Sequence, residues 1–311
     1  MRRRVLITGA SGFIGKRLAG ALAKEGWQVR AAAREPASIP AIAGVERVAM
    51  PDLSQPADWS GLLDGITHVV LLAGIAHATG SLSDEIYSRI NAEAVGEFAG
   101  QVRAKVERLV FMSSVRAQVG VSVKHVITER DLPLPTDAYG RAKLRAERLL
   151  AQSGIPFAVL RPAVVYGKGV KGNIAALATL AKTPMPLPFA RLTNRRSLLA
   201  LDNLVAAISL VLTAKEAEGG TYLVADRDPI SVADMIAAMR EGLGRAPHLV
   251  NVPAGAIMRL MKSFGREAEW ERISTSFVID AAKLRGIGWT PTVETREGLA
   301  RMMRSENGAA G

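Results

Sequence analysis

The chain has 311 residues, 49% of them hydrophobic, a net charge of +11 and no cysteine. That is enough for one large or two coupled domains, while disulfides, thiolate catalysis and cysteine-ligated zinc are excluded. Four histidines without close spacing argue against a His-based metal site. The basic residues are scattered, with Arg2-Arg3-Arg4 and Arg195-Arg196 the tight clusters, and aromatics make up 5%. A basic–aromatic strip suited to nucleic acid is missing, and an anionic small molecule accounts for the charge more simply.

At the N-terminus the basic triplet is followed by Val5-Leu6-Ile7, but Thr8-Gly9 breaks the apolar run far short of a signal sequence. No stretch is apolar and long enough to span a bilayer, so a cytoplasmic protein with no membrane partner is expected. Strand-like runs at 4–8, 28–33, 45–50, 67–73, 108–113 and 156–161 alternate with helical segments starting near Gly12, Asp58, Ser83 and Tyr139. This alternation predicts an α/β fold, a doubly wound parallel sheet with right-handed crossovers. The run from His68 to Ala73 is almost continuously apolar, as a strand buried on both faces requires.

Beyond Pro162 the alternation loosens. Pro184-Met-Pro186-Leu-Pro188 marks a loop, and 198–214 predicts a helix carrying Asp202. A late strand at 221–225 returns to the main sheet, and 231–242 reads as a helix opened by Ser231 with Asp234 and closed by glycine. The small, polar residues 307–311 predict a frayed end.

Gly9-x-x-Gly12-x-x-Gly15 lies between the first strand and the first helix. Its first two glycines are spaced by three, not by the two of the dinucleotide fingerprint. The physical jobs are similar: a tight turn, close approach of backbone to a pyrophosphate, and tight packing of helix on strand, with the helix N-terminus supplying positive potential. An ordinary glycine-bearing turn is the bland alternative. Cofactor choice belongs at the end of the second strand, where an acid binds a ribose hydroxyl and an arginine accommodates a 2′-phosphate. Arg34 there favours NADP; Glu35, one position later, is the NAD reading.

Tyr139-Gly-Arg-Ala-Lys143 puts a phenol and an ammonium on one face of a helix, one turn apart. The cation favours the phenolate, which otherwise forms only near pH 10. The pair follows a strand ending Phe111-Met-Ser113-Ser114, whose hydroxyls emerge at the carboxyl edge of the sheet, where ligands bind in such folds. Dinucleotide, phenol and hydroxyl together predict an oxidoreductase.

In this order, over essentially the whole chain, these features resemble the extended short-chain dehydrogenase/reductase family. The similar branch comprises the nucleotide-sugar epimerases and 4-keto-sugar reductases. The resemblance implies a Rossmann domain over 1–165, joined by the strand near 221–225, and a smaller C-terminal substrate-binding lobe over 166–311. It implies Ser114, Tyr139 and Lys143 as the catalytic triad. Gly9, Ser11, Gly12, Phe13, Ile14 and Gly15 would hold the cofactor with Arg34, and Asp52-Leu53 would meet its adenine. Leu72-Ala73-Gly74 matches the loop past the fourth strand, and Asn91 the structural Asn on the next helix. Arg161-Pro162-Ala163-Val164-Val165-Tyr166-Gly167 resembles the segment whose backbone meets the nicotinamide amide. On the substrate side the resemblance implies Asn173 and Arg196 on the diphosphate, the neighbouring Asp202-Asn203, and Asp280 on the nucleoside ribose. A helix-cap role for Asp280 is the alternative. His77 is placed to touch the sugar, with a solvated loop histidine as the alternative.

Val115-Arg116 stands where dehydratases of this family carry Asp-Glu, so elimination of water lacks its acid and base. The expected enzyme uses NADP or NAD and acts at C4 of a nucleotide sugar, by epimerisation or by reduction of a 4-keto group, in cell-surface glycan biosynthesis. The reading leaves room for a homodimer. Its rivals are a flavanol- or steroid-type reductase of non-nucleotide ketones and a non-catalytic cofactor-binding protein.

Overall fold

The computed structural model describes residues 3–76, 82–102, 106–120, 123 and 125–307. The first half runs β1 (Arg4–Thr8), α1 (Phe13–Lys24), β2 (Gln28–Ala33), β3 (Val45–Ala49), α2 (Ser60–Leu63), β4 (His68–Leu71), α3 (Asp84–Ser88), α4 (Ala94–Val102), β5 (Arg108–Met112), α5 (Ala138–Ala151) and β6 (Phe157–Pro162). A π turn, Arg89–Glu93, joins α3 to α4. Then come β7 (Val164–Tyr166), α6 (Asn173–Lys182), β8 (Arg195–Arg196), β9 (Leu198–Ala200), α7 (Leu201–Thr213), β10 (Gly220–Val224) and β11 (Ile230–Ser231). The last helices are α8 (Val232–Gly242), α9 (Ala254–Ser263), α10 (Glu267–Ser274), α11 (Ala282–Gly286) and α12 (Thr295–Asn307).

Among the described residues, seven strands form one sheet in the order β10-β6-β5-β4-β1-β2-β3, with every pairing parallel. This is a Rossmann-like α/β fold. Alternate side chains of each strand feed two cores, because successive Cβ atoms point to opposite faces. Val5 and Ile7 join Leu18 and Leu22 of α1 and Ile208 and Val211 of α7. Leu6 instead joins Phe98 of α4 and Leu150 of α5. The chain builds outward from β1 to β3 and then returns to β4 on the other side. The carboxyl ends of β1 and β4 therefore diverge at a switch point, where such sheets bind ligands.

The late strand pairs with β6, Thr221 opposite Val159. The predicted helix 198–214 is corrected: its first three residues form β9, parallel to β7, and the helix starts at Leu201. Tertiary hydrogen bonds override the local helical pattern there. Leu198 O accepts from Asp226 N, and Ala200 N donates to the Asp226 carboxylate at 3.0 Å. The helix near Asp58 is only the short α2, because that carboxylate holds the Ser60 N–H and hydroxyl in a turn.

The later elements grow from the carboxyl end of β6 and enclose a further core of Met235 and Met239 from α8 with Leu299 and Met303 from α12. Ser231 caps α8 by accepting from Asp234 N at 3.0 Å. A buried polar clamp ties these elements to the sheet. Asp226 accepts from the Asn203 amide at 2.7 Å and the Tyr166 hydroxyl at 3.1 Å, while Asn203 Oδ1 accepts from Thr292 and Val293 N–H. Asn203 is thus fully engaged in the fold, and Asp202 pairs with Arg17 and Arg301. The substrate-side placing of this dipeptide is corrected accordingly: short polar side chains serve tertiary clamps as readily as ligands. Among the described residues no helix is long and apolar enough to cross a membrane.

Candidate active site

The glycine turn sits at the switch point. Gly9 has φ +67°, and a Cβ there would lie 2.9 Å from Ala73 N, so β1 and β4 can converge only around glycine. A Cβ on Gly15 would stand 2.5 Å from Gly9 O, which shows how tightly α1 packs on the turn. Gly12 is the exposed N-cap of α1 and brings no capping side chain, so the first-turn N–H groups near Ser11, Phe13 and Ile14 face outward. This cradle, positive at the helix end and without a Cβ at positions 9, 12 and 15, fits a pyrophosphate. Thr8 braces it by accepting from Ala73 N at 3.2 Å.

Past β4, Leu72-Ala73-Gly74 leads into Ile75, whose backbone is gripped by Asn91. That side chain accepts from Ile75 N at 2.9 Å and donates to Ile75 O at 2.8 Å. A Cβ on Gly74 would come within 2.4 Å of Asn91 Oδ1. Asn91 is buried in the π turn, and its amide shapes the loop from behind. Leu53, Ala73, Ile90 and Thr8 line a narrow apolar cleft beside the turn.

Arg34 and Asp52 stand exposed at the ends of β2 and β3. The Ser54 N–H on Asp52, with Arg34 nearby, holds this carboxyl below its ordinary range. Arg34→Ala is expected to weaken NADP(H) about ten- to a hundredfold more than NAD(H), since a charge-assisted contact is worth about 1.5–3 kcal/mol. Fluorescence titration of both cofactors checks this; equal losses would transfer the choice to Glu35.

The candidate catalytic group lies where α5 meets the tip of β5. Asp137 caps α5, accepting from Gly140 N at 2.7 Å. A Cβ on Gly140 would stand 2.2 Å from Arg116 O, so the helix starts flush against the turn that carries Ser114. The two serines diverge. Ser113 donates inward to Glu147, whereas Ser114 faces the Tyr139 phenol closely enough to pull its proton affinity down and accepts from Arg116 N at 3.2 Å. Lys143 is buried, donates to Met112 O at 2.8 Å, and lies 4.7 Å from the Phe111 ring and 5.9 Å from the Tyr139 ring. Ser114, Tyr139 and Lys143 are therefore brought together.

Burial pushes the Tyr139 phenol up to about 12, against the pull of Ser114 and the Arg116 charge. Burial brings Lys143 down to about 8, and Glu147 opposes that fall. Sequence reasoning missed Glu147, which accepts from both sides of the Arg161 guanidinium, at 2.9 Å from Nε. A signal was present: Glu147 continues the Tyr139–Lys143 face one further turn. Arg116, beside the phenol and paired with Asp137, was read only as a departure from the dehydratase pattern.

Ala163 donates to Val224 O at 2.8 Å and sets Pro162-Ala163-Val164-Val165 at the carboxyl end of β6, with Val164 exposed. Asn173 opens α6, whose N-terminus brings no capping side chain. Arg196 is half-buried on β8. Its guanidinium donates to Thr275 O at 2.8 Å and lies 5.5 Å from the Phe277 ring, and burial lowers its affinity for the proton. Asp280, expected at the ribose, is half-exposed and shapes its own turn. Its Oδ1 accepts from Ala282 N at 2.8 Å and Arg285 at 2.9 Å, the turn role that short carboxylates favour. His77 lies outside the described residues. Among those described, no cluster of three potential ligands could hold a metal ion.

The chain is 29% identical to a UDP-glucose 4-epimerase of Vibrio cholerae over 96% of its length and 94% of that protein's. It is 28% identical to a 3 beta-hydroxysteroid dehydrogenase/Delta 5-->4-isomerase of Mycobacterium tuberculosis, across 90% of this chain and 79% of that one. Among solved structures it superposes on MoeE5 in complex with UDP-glucuronic acid and NAD with a TM-score of 0.78 and 25% identity, covering 98% and 99% of the two chains. The family model for the NAD dependent epimerase/dehydratase family matches residues 5–225, from the first strand through the late strand, and the chain belongs to that family.

Proposed function

We propose that the chain is an NAD(P)-dependent enzyme acting at C4 of a nucleotide-linked sugar, a UDP sugar in the first instance, by epimerisation or by reduction of a 4-keto group. Glycan biosynthesis is the process this would serve. The observation that carries the reading is the meeting of Ser114, Tyr139 and Lys143 beside the glycine cradle. Residues 166–311 form the side proposed to take the nucleotide sugar, with Arg196 and Asn173 toward its diphosphate. Arg34 inclines the cofactor toward NADP.

In the reducing direction the C4 carbonyl oxygen takes its proton from Tyr139 while Ser114 donates a hydrogen bond to the same oxygen. The chain by itself favours this direction, because burial keeps the phenol protonated. In the oxidising direction the phenolate must form first and accept the hydroxyl proton. Lys143 and Arg116 supply positive charge for that state. A dinucleotide held on the Gly9–Gly15 turn would supply hydride transfer and, when oxidised, further positive charge favouring the phenolate. Epimerisation uses both directions within one turnover, whereas reduction uses one.

A second reading, a reductase of apolar ketones, is favoured by the steroid dehydrogenase relative. Arg196 separates the two, since a half-buried guanidinium suits a diphosphate and costs desolvation in an apolar pocket. Calorimetric titration of UDP is expected to show binding to wild type and at least tenfold weaker binding to Arg196→Ala, with cofactor affinity unchanged. Absence of UDP binding to wild type, together with reduction of an uncharged ketone, would establish the second reading instead.

A further inference from the structure

Helix α5 grips the tip of β5 residue by residue. Lys143 donates to the carbonyl of Met112, and Glu147, one turn further on, accepts from the hydroxyl of Ser113. Ser114, the next residue, is thereby delivered to the phenol. Beneath this contact Glu147 is also clasped by Arg161 of β6, whose remaining nitrogen donates to Gln118 Oε1, and Gln118 donates in turn to Asp131 O. Lys143, Glu147 and Arg161 are all nearly inaccessible, at 5%, 7% and 5% exposure. Arg161 pairs with the Glu147 carboxylate directly, and Lys143, one helical turn away and held to the neighbouring residue of β5, is a second buried cation beside it.

We propose that Glu147 is a positioning residue that keeps Lys143 protonated beside the reacting phenol, in addition to neutralising Arg161. The inference rests on the Ser114–Tyr139–Lys143 reading of the site. A guanidinium does not give up its proton in a protein. If the Glu147 charge is removed, the strain of two buried cations is relieved only by proton loss from Lys143. The other charges around α5 do not replace it. Arg116, from the turn after β5, is paired with Asp137 and acts on the phenol. Tyr87 of α3 packs edge-on to Tyr139, 6.3 Å between ring centroids. On the outer face Asp84 pairs with Arg141, and Glu93 and Glu97 pair with Arg89 and Arg145. Glu147 is the charge that opposes the burial of Lys143.

The test is an NMR titration of the Lys143 side-chain resonance in lysine-labelled protein without cofactor, assigned by its loss in Lys143→Met. Glu147→Gln is expected to lower the Lys143 midpoint by about one pH unit or more, a tenfold change in its protonation equilibrium. The single variant Arg161→Met leaves Lys143 as the one buried cation beside Glu147 and is expected to raise the midpoint above wild type. It decides alone if Glu147→Gln does not fold. A midpoint equal to wild type in Arg161→Met, or in a folded Glu147→Gln, would overturn the proposal and leave Glu147 as the counter-ion of Arg161 only. The titration needs no substrate, so a wrong assignment of the sugar leaves its outcome readable. Conversely, an unshifted midpoint leaves the UDP measurement untouched.

Discussion

Tyr139→Phe removes one oxygen and is expected to lower turnover by roughly a hundredfold to ten-thousandfold, the range for loss of a positioned proton donor. Cofactor affinity should stay within about twofold, because the glycine cradle is built from β1, α1 and the loop past β4, none of which the phenol braces. The fold should hold as well. Ser114 keeps its contact with Arg116 N, and Asp137 keeps its cap on Gly140. Stopped-flow turnover and equilibrium cofactor titration separate the two quantities. A variant that keeps more than about a tenth of wild-type activity shows that another group moves the proton. The pH dependence is set by the neighbouring ammonium rather than by the phenol. With the phenol at about 12 and Lys143 at about 8, reduction should weaken as pH rises through 8 while the phenol is still protonated.

The parts of this molecule that were legible in the sequence are those whose cause is local. Gly9 and Gly15 are demanded by backbone approaching backbone, and no other residue satisfies that demand, so the turn announces itself. Tyr139 and Lys143 share a face because of helical periodicity alone. The late strand was visible through its β-rich composition, although its pairing with β6 spans more than sixty residues. What escaped depends on partners from other elements. Leu198–Ala200 reads as the first turn of a helix until Asp226 and the β7 edge claim its backbone. Glu147 four residues after Lys143 reads as an ordinary solvated helix pair; only Ser113 and Arg161, arriving from two strands, make it buried. Asn203 shows the opposite error. Its side chain suits a ligand and a clamp equally, and packing decided for the clamp.

Lys143→Met sets catalysis against stability and carries the widest split in expected effects. Turnover should fall by several orders of magnitude, since the phenol loses its adjacent cation. Cofactor affinity should fall too, if the ammonium serves the nicotinamide-side ribose hydroxyls as well as the phenol. Stability should move the other way. The ammonium is buried, and its proton affinity is depressed from 10.5 to about 8. Between those two values the unfolded chain binds the proton and the folded chain does not, so wild-type stability rises as pH rises from 8 to 10.5. Below 8 the full cost of the buried charge is present, up to about 3 kcal/mol at 1.36 kcal/mol per unit. A methionine of similar length is free of that cost and forfeits only the hydrogen bond to Met112 O, about 1 kcal/mol. The variant should therefore melt at or above the wild-type temperature at pH 7, and the difference should close toward pH 10. Melting curves across that range, paired with cofactor titration, give both answers. A variant that melts well below wild type at pH 7 would make the ammonium chiefly a tie between α5 and β5. Undiminished cofactor binding with lost turnover would confine it to the electrostatic support of Tyr139.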